Sequence, residues 1–392
     1  MNQELRQKIQ GMEEEVITWR RQLHKYPELS FKEYRTTGYI KEALAGLSGI
    51  QVSHPTETST IVDLDTGRPG RSIAIRADID ALPIQEENDL DFRSVHDGVM
   101  HACGHDGHTA VLLGVAHILA NNTEYFDGKI KLIFQHAEEQ PPGGAIELYE
   151  AGVMEGVDEL YGFHLSSAFP TGVFGIRAGV LTAATDEFRI KVIGQGGHSA
   201  FPQLCVDPVV IGAQVITAIQ TIVSRKLAAS DEAVISTCMV NAGTAYNIIP
   251  DSIDLTGSIR SFSEEVREKI RGELDRISSG IAAANGGRTE YEYLYGYSSV
   301  VNAPELAAVS EEVVSSLFGP QAVMQIDKVY PGEDFSALHK DCIAMFVEVG
   351  TGDEAKGTHY PHHNASYIMD EDMLIPSVEY LIGMILSRMK RD

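Results

Sequence analysis

Short unbroken apolar runs along this chain alternate with longer stretches in which apolar residues recur every three or four positions. RSIAIRADI (71–79) and KIKLIFQHA (129–137) are short, rich in isoleucine and followed by loops, and so predict buried strands. Between them, HTAVLLGVAHILANN carries Val111, Leu112, Val115, Ala116 and Leu119 on one face and predicts a helix. VDELYGFHLS (157–166) predicts another strand, ending in a polar loop. This alternation predicts an α/β fold with a mixed, mostly parallel sheet flanked by helices. Ligands bind such sheets beyond the carboxyl ends of the strands. At the N-terminus, Ile9, Met12, Val16, Trp19 and Leu23 recur at helical spacing and predict an amphipathic helix.

The middle of the chain has a different rhythm. DEFRIKVIG (186–194) alternates like a half-exposed strand, and a helix from Asp207 to about Leu227 places Ile211, Val215, Ile219 and Ile222 on one face. AVISTCMVNAG and DSIDLTGSIRS predict two strands joined through the turn-like NIIPD. EEVREKIRGELDRISSGIAAANGG predicts a helix stopped by its Gly pair, and RTEYEYLYGY a last strand. This β-α-β-β-α-β order is that of a ferredoxin-like module. Residues 183–293 therefore read as an inserted α+β domain, and 1–182 plus 294–392 as the main frame, to which IAMFVEVG adds a strand.

Composition supports a folded chain and narrows its partners. With 392 residues, 43% hydrophobic and 22% charged, the chain is long enough for two globular domains. Lys+Arg 31 against Asp+Glu 56 gives a formal net charge of −25, which disfavours nucleic acid and anionic membrane surfaces as partners. The charged N-terminal segment lacks the apolar core of a signal peptide, and no uninterrupted apolar run is long enough to span a bilayer. Cys103, Cys205, Cys238 and Cys342 lie far apart with no Cys-x-x-Cys pair, a pattern that fits a reducing cytoplasm.

Candidate chemistry concentrates where the strands end. MHACGHDGH (100–108) separates Cys103 and His105 by one residue, so a turn can aim thiolate and imidazole at one point, a pairing suited to zinc and similar metals. QHAEEQPPGG (135–144) sets Glu138 beside Glu139; neighbours at a strand end point apart, so one can bind a cation and the other handle protons. GFHLS adds His164, and THYPHHNASY adds His359, His362 and His363. Cys103, His105, Glu139, His164 and one histidine of 359–363 exceed the needs of a single tetrahedral ion. They suit two divalent ions sharing a ligand and a water, with Glu138 as the base. Two other readings stay open at this level: Cys103 as a nucleophile with His105 or His108 as its base, and a non-catalytic binding module.

With these motifs assembled, the chain resembles the aminoacylase/carboxypeptidase group of dinuclear metallo-amidohydrolases. That group includes hippurate hydrolases, N-acetyl-diaminopimelate deacetylases and auxin-conjugate hydrolases. Its landmarks here run nearly the whole length: LHKYPELSFKE, RADIDALPI, GVMHACGHDGHTA, QHAEEQPPGGA, GFHLS, GQGGHSAFP, NIIPDSIDLTGSIR, PGEDFS and YPHHNASY. The resemblance implies a zinc-exopeptidase-like frame and metal ligation by Cys103, His105, Glu139, His164 and His363, with His362 outside the shell. It further implies Glu138 as general base, His198 of GGHSA as oxyanion stabiliser, and Asn247 and Arg260 as substrate-binding residues. A homodimer formed through the lid-like insert also follows from it, while imidazole, carboxylate and thiolate together permit Zn, Mn, Co or Ni as the two ions. The implied substrates are N-acyl amino acids with acetyl or aromatic acyl groups, or small peptides, dipeptidase or carboxypeptidase action being the alternative. Arg76 stands where related metallopeptidases carry a ligand histidine, so Arg76, Asp78 and Asp80 are expected to act from behind the ligands, as are His101, Asp106 and His108. Gly104 and Gly107 are expected to let the loop bend.

Overall fold

The computed structural model describes residues 1–389, which divide into two compact units. The first comprises Met1–Leu181, Val301–Lys328 and the chain from Asp334 onward; the second comprises Thr182–Val300 and Val329–Glu333.

The first unit opens with α1 (Gln3–Gln10), α2 (Glu13–Lys25) and α3 (Tyr34–Leu44). The single N-terminal helix expected from the apolar spacing is thus two helices. They part at Gly11, whose amide caps α1 through the carbonyls of Gln7 and Ile9, as suits the residue least favourable to a helix interior after proline. Strands β1 (Ile50–Ser53), β2 (Thr60–Asp65) and β3 (Ser72–Asp78) lead to α4 (His105–Ala120) and β4 (Lys129–Gln135). Helix α5 (Gly144–Glu150), β5 (Glu159–Pro170), β6 (Phe174–Ile176) and β7 (Gly179–Val180) follow.

The second unit contains β8 (Ala184–Ile193), β9 (Gly197–His198), α6 (Pro208–Arg225) and β10 (Ala233–Ala242). It continues through β11 (Ile248–Ile249), β12 (Ser252–Ser261), α7 (Glu264–Ala284) and β13 (Arg288–Tyr295). Its antiparallel sheet has the order β10-β12-β8-β13. Ile211, Val215, Ile219 and Ile222 of α6 join Phe188, Ile190 and Leu255 in its core. By length and a mean hydropathy of 1.3, α6 could cross a membrane, although no uninterrupted apolar run in the sequence suggests it; one face of it is buried in this core.

The chain re-enters the first unit at β14 (Val301–Asn302), which pairs with β7, and continues through α8 (Pro304–Phe318), β15 (Val323–Gln325), β16 (Ile343–Gly352) and α9 (Leu374–Met389). The main sheet has the order β1-β2-β4-β3-β5-β16-β6-β15. Pairs β4/β3, β3/β5, β5/β16 and β15/β6 are parallel, so the sheet is mixed and mostly parallel, flanked by helices. Its strands are apolar on both faces, as covered parallel strands must be. Helix α4 is buried almost throughout and packs against α2 and α9 in the same core.

Candidate metal centre

The donors of the first unit gather around the ends of β3 and β4, the start of α4, and β5. Helix α4 begins at His105, three residues earlier than the apolar pattern suggests, so His105 sits on its first turn and not in an extended loop. Gly104 precedes it with φ +98°, and a Cβ there would lie 3.0 Å from the Tyr367 hydroxyl, so this position requires glycine. Gly107 does not bend the chain. It is helical, and a Cβ on it would come within 2.6 Å of Leu165 and Met369. His164 is likewise not at a strand end: β5 runs on to Pro170, held in register by β16, where Glu348 lies opposite His164.

Three of the donors, Cys103, His105 and Glu139, offer atoms all within 4.8 Å of one another, and Cys103, His164 and His362 form a second such set. Cys103 belongs to both. Its Sγ is 3.4 Å from Nε2 of His164. His363 reaches the cluster from the other side, its Nε2 3.2 Å from Oε1 of Glu139. His362, expected to stand apart, therefore faces the Cys103–His164 side while His363 faces Glu139. His363 holds a left-handed backbone (φ +63°), and its amide donates to the Ala102 carbonyl. His359 belongs to neither set.

Residues behind the donors fix which nitrogens point inward. Asp80 accepts from Nδ1 of His105 (3.1 Å to Oδ1) and, through Oδ2, from the Glu139 amide (3.0 Å). Nε2 of His105 is thereby left to face the cluster. His108 accepts the Leu165 amide at Nε2 (2.8 Å), so its proton is on Nδ1, donated to Asp78 at 2.5 Å. Buried Arg76 donates to Asp78, Gln135 and Asp334. Asp80→Ala is expected to weaken metal binding by about 10- to 100-fold, measured by competition with a chromogenic chelator.

The donor set is chemically suited to cations. Oε1 of Glu139 is buried, with ring nitrogens of His363 at 3.2 Å and His105 at 3.9 Å beside it but no well-formed hydrogen bond, and a buried carboxylate oxygen calls for positive charge close by. Burial pulls the His105 imidazole down, but the carboxylates of Asp78, Asp80 and Glu139 outweigh it and lift the pKa to about 10. Burial, reinforced by Glu139 and Glu138, pushes the Cys103 thiol well above its ordinary value. Burial, then His362 and His108, pushes His164 well below its own. Such convergent negative charge and buried nitrogen lone pairs fit divalent ions, whose charge would reverse these penalties.

Glu138 is buried, an oxygen of it within 4.8 Å of an Asp334 oxygen, and its charge also bears on Cys103. His198, Asn247 and Arg260 are in the second unit. His198 and Asn247 are exposed neighbours, the Ser199 amide donating to the Asn247 carbonyl, and Arg260 is half-buried on β12. Two residues of LHKYPELSFKE with no role expected from the sequence also reach this region: the Ser30 hydroxyl donates to Asp80 at 2.6 Å, and Glu33 accepts from the Ala137 amide at 2.8 Å.

The match to peptidase family M20/M25/M40 covers residues 74–387, taking in every donor described above. The chain belongs to this family. As an M20-family protein it is a hydrolase of amide bonds. It is 46% identical over 303 residues to the N-acyl-L-amino acid amidohydrolase of Geobacillus stearothermophilus, covering 77% of this chain and 82% of that protein. It is 40% identical over 376 residues to thermostable carboxypeptidase 1 of Saccharolobus solfataricus, covering 95% of each. A Bacillus subtilis structure described as a dinuclear metal binding peptidase of family M20 superposes with a TM-score of 0.85 at 33% identity, over 96% of this chain and 98% of that one.

Proposed function

We propose that this M20-family chain hydrolyses the amide bond of N-acyl amino acids, with acetyl or aromatic acyl groups, at two divalent ions held by Cys103, His105, Glu139, His164 and His363. The observation that carries the reading is Cys103, shared between the Cys103–His105–Glu139 and Cys103–His164–His362 donor sets, with His363 joining the first through Glu139 at 3.2 Å. Cations bound there would polarise the scissile carbonyl and make a water acidic enough to ionise near neutrality. Glu138 takes the proton of the attacking water and returns it to the departing amine nitrogen. His198 is assigned to the oxyanion, and Asn247 and Arg260 to the polar end of the substrate, where a guanidinium pairs bidentately with a terminal carboxylate. Action on small peptides is the second reading, favoured by the 40% identity to a carboxypeptidase.

The thiol mechanism has Nε2 of His105 near Cys103, but it leaves the Glu138–Glu139 pair idle. Nδ1 of His105 and both nitrogens of His108 are engaged elsewhere, and the thiol is held protonated. The second unit, close to the 183–293 insert, is proposed as a lid through which two copies pair. Edge strand β10 supports this, exposing Val234, Met239 and Val240 beside no partner strand on one side. Four free cysteines support a reducing cytoplasm, and the net charge of −25 argues against nucleic-acid and membrane partners.

Chelated protein, reloaded singly with zinc, manganese, cobalt or nickel, is to be assayed on N-acetyl, N-benzoyl and indoleacyl amino acids. Chelation is expected to abolish turnover and at least one metal to restore it. Turnover that survives chelation would return the case to Cys103. No turnover with verified metal on any substrate would make the chain a binding protein.

A further inference from the structure

Adjacent carboxylates can serve as ligand and base only if the backbone turns them apart. That turn, just beyond β4, is made by Ala137, which is fully buried and has a φ of +52°. An alanine rarely occupies this left-handed region, because its Cβ crowds the following carbonyl oxygen. A second left-handed residue, Phe31 at φ +63°, stands against it, with its ring edge-on to His136 at 5.6 Å. One atom holds both residues. Oε1 of Glu33 accepts from the Phe31 amide at 3.0 Å and from the Ala137 amide at 2.8 Å. Glu33 is itself fully buried. Its segment is tied to the cluster a second time, since the Ser30 hydroxyl donates to Oδ2 of Asp80 at 2.6 Å.

We propose that Glu33 is a positioning residue, pinning Ala137 in its left-handed conformation and so sending Glu138 toward Asp334 and Glu139 toward the cluster. Its hydrogen bonds to Phe31 and Ala137 are both to backbone amides. Its effect on turnover rests on the hydrolase reading, but the clamp itself does not.

The test is a double-mutant cycle on the full-length protein: Glu33→Met, Ala137→Gly and the pair together. Kinetics are read at saturating metal, and Tm is read on the metal-free proteins. Glu33→Met is expected to lower kcat by about 10²-fold, the scale of a misplaced reacting group, with a smaller change in KM. Ala137→Gly alone should stay within about twofold of the parent, because glycine adopts positive φ without penalty. In the double variant glycine no longer needs the clamp, so most of the lost kcat returns. Glu33→Gln keeps the accepting oxygen and should retain near-parental turnover. Where Glu33→Met yields no folded protein, Glu33→Asp serves in its place, withdrawing the oxygen by one methylene.

The Tm values measure the coupling without turnover. Glycine at 137 should raise the Tm of the Glu33 variant while leaving the parent nearly unchanged. Parental kcat in Glu33→Met, a double variant as slow as the single one, or additive Tm shifts would each overturn the clamp. If the coupling in Tm holds while the parent shows no amide hydrolysis, the clamp stands and the hydrolase reading falls.

Discussion

Glu138→Ala is expected to reduce kcat on an N-acyl amino acid by about 10²- to 10⁴-fold, the usual contribution of a positioned acid–base group. Bound metal should remain at its parental level. The two effects separate because Glu138 faces Asp334 while Glu139, one residue on, faces His363 and His105. Steady-state kinetics together with metal analysis of the same preparation check both. A variant that turns over normally would mean that another group moves the proton. A variant that also loses its metal would place Glu138 among the ligands.

Arg20→Met is expected to destabilise the fold by about 3–5 kcal/mol, the cost of removing one partner from a buried ion pair. Arg20 and Asp106 are both fully buried, with Nε 2.8 Å from Oδ2, and Arg20 also reaches Glu371. His24 joins the same oxygen at 2.9 Å and bonds Glu86 through its other nitrogen. Burial works against the Asp106 carboxylate, but Arg20 and His24 more than compensate and hold it well below the usual carboxylate range. A carboxyl depressed in the folded state stabilises above its unfolded value, near 3.9, and that stability is lost as pH falls toward the folded value. The gap between Arg20→Met and the parent should therefore be full at neutral pH and narrow below about pH 4. Burial and Arg20 pull the His24 imidazole down, while Asp106 and Glu86 lift it net upward, so its own contribution is present in mild acid and fades as pH rises past its folded value. Urea unfolding at several pH values measures both trends.

The strands of the main sheet were legible because β3 and β4 are buried on both faces and read as unbroken apolar runs. The ligand types were legible because thiol, imidazole and carboxylate seldom crowd together without a shared task. What the sequence hid depends on backbone conformation or distant contact. Nothing in YPHHNASY shows that His363 is left-handed, and without that turn the two histidines cannot be sorted to opposite sides of the cluster. Gly107 looks like a hinge by residue type and proves to be a point of close packing against Met369. Asp80 reads as an ordinary strand-end aspartate until the Glu139 amide and His105 are seen to share it. The N-terminal apolar spacing continues smoothly across Gly11 because both helices turn the same face inward.

The chain leaves the first unit just after β7 and re-enters at β14, before a second, five-residue departure at Val329–Glu333, and β7 and β14 pair, Gly179 opposite Asn302 and Val180 opposite Val301. Exit and return are thus stitched together as the two arms of a hairpin. Closing a loop grows costly only slowly, at about 0.6 kcal/mol for each doubling of its length. Once this stitch is made, the sheet scarcely registers how much chain is strung between its ends. The inserted region is therefore free to lengthen, shorten or be exchanged over evolutionary time, while the sheet that gathers Cys103, His164 and Glu139 keeps its register.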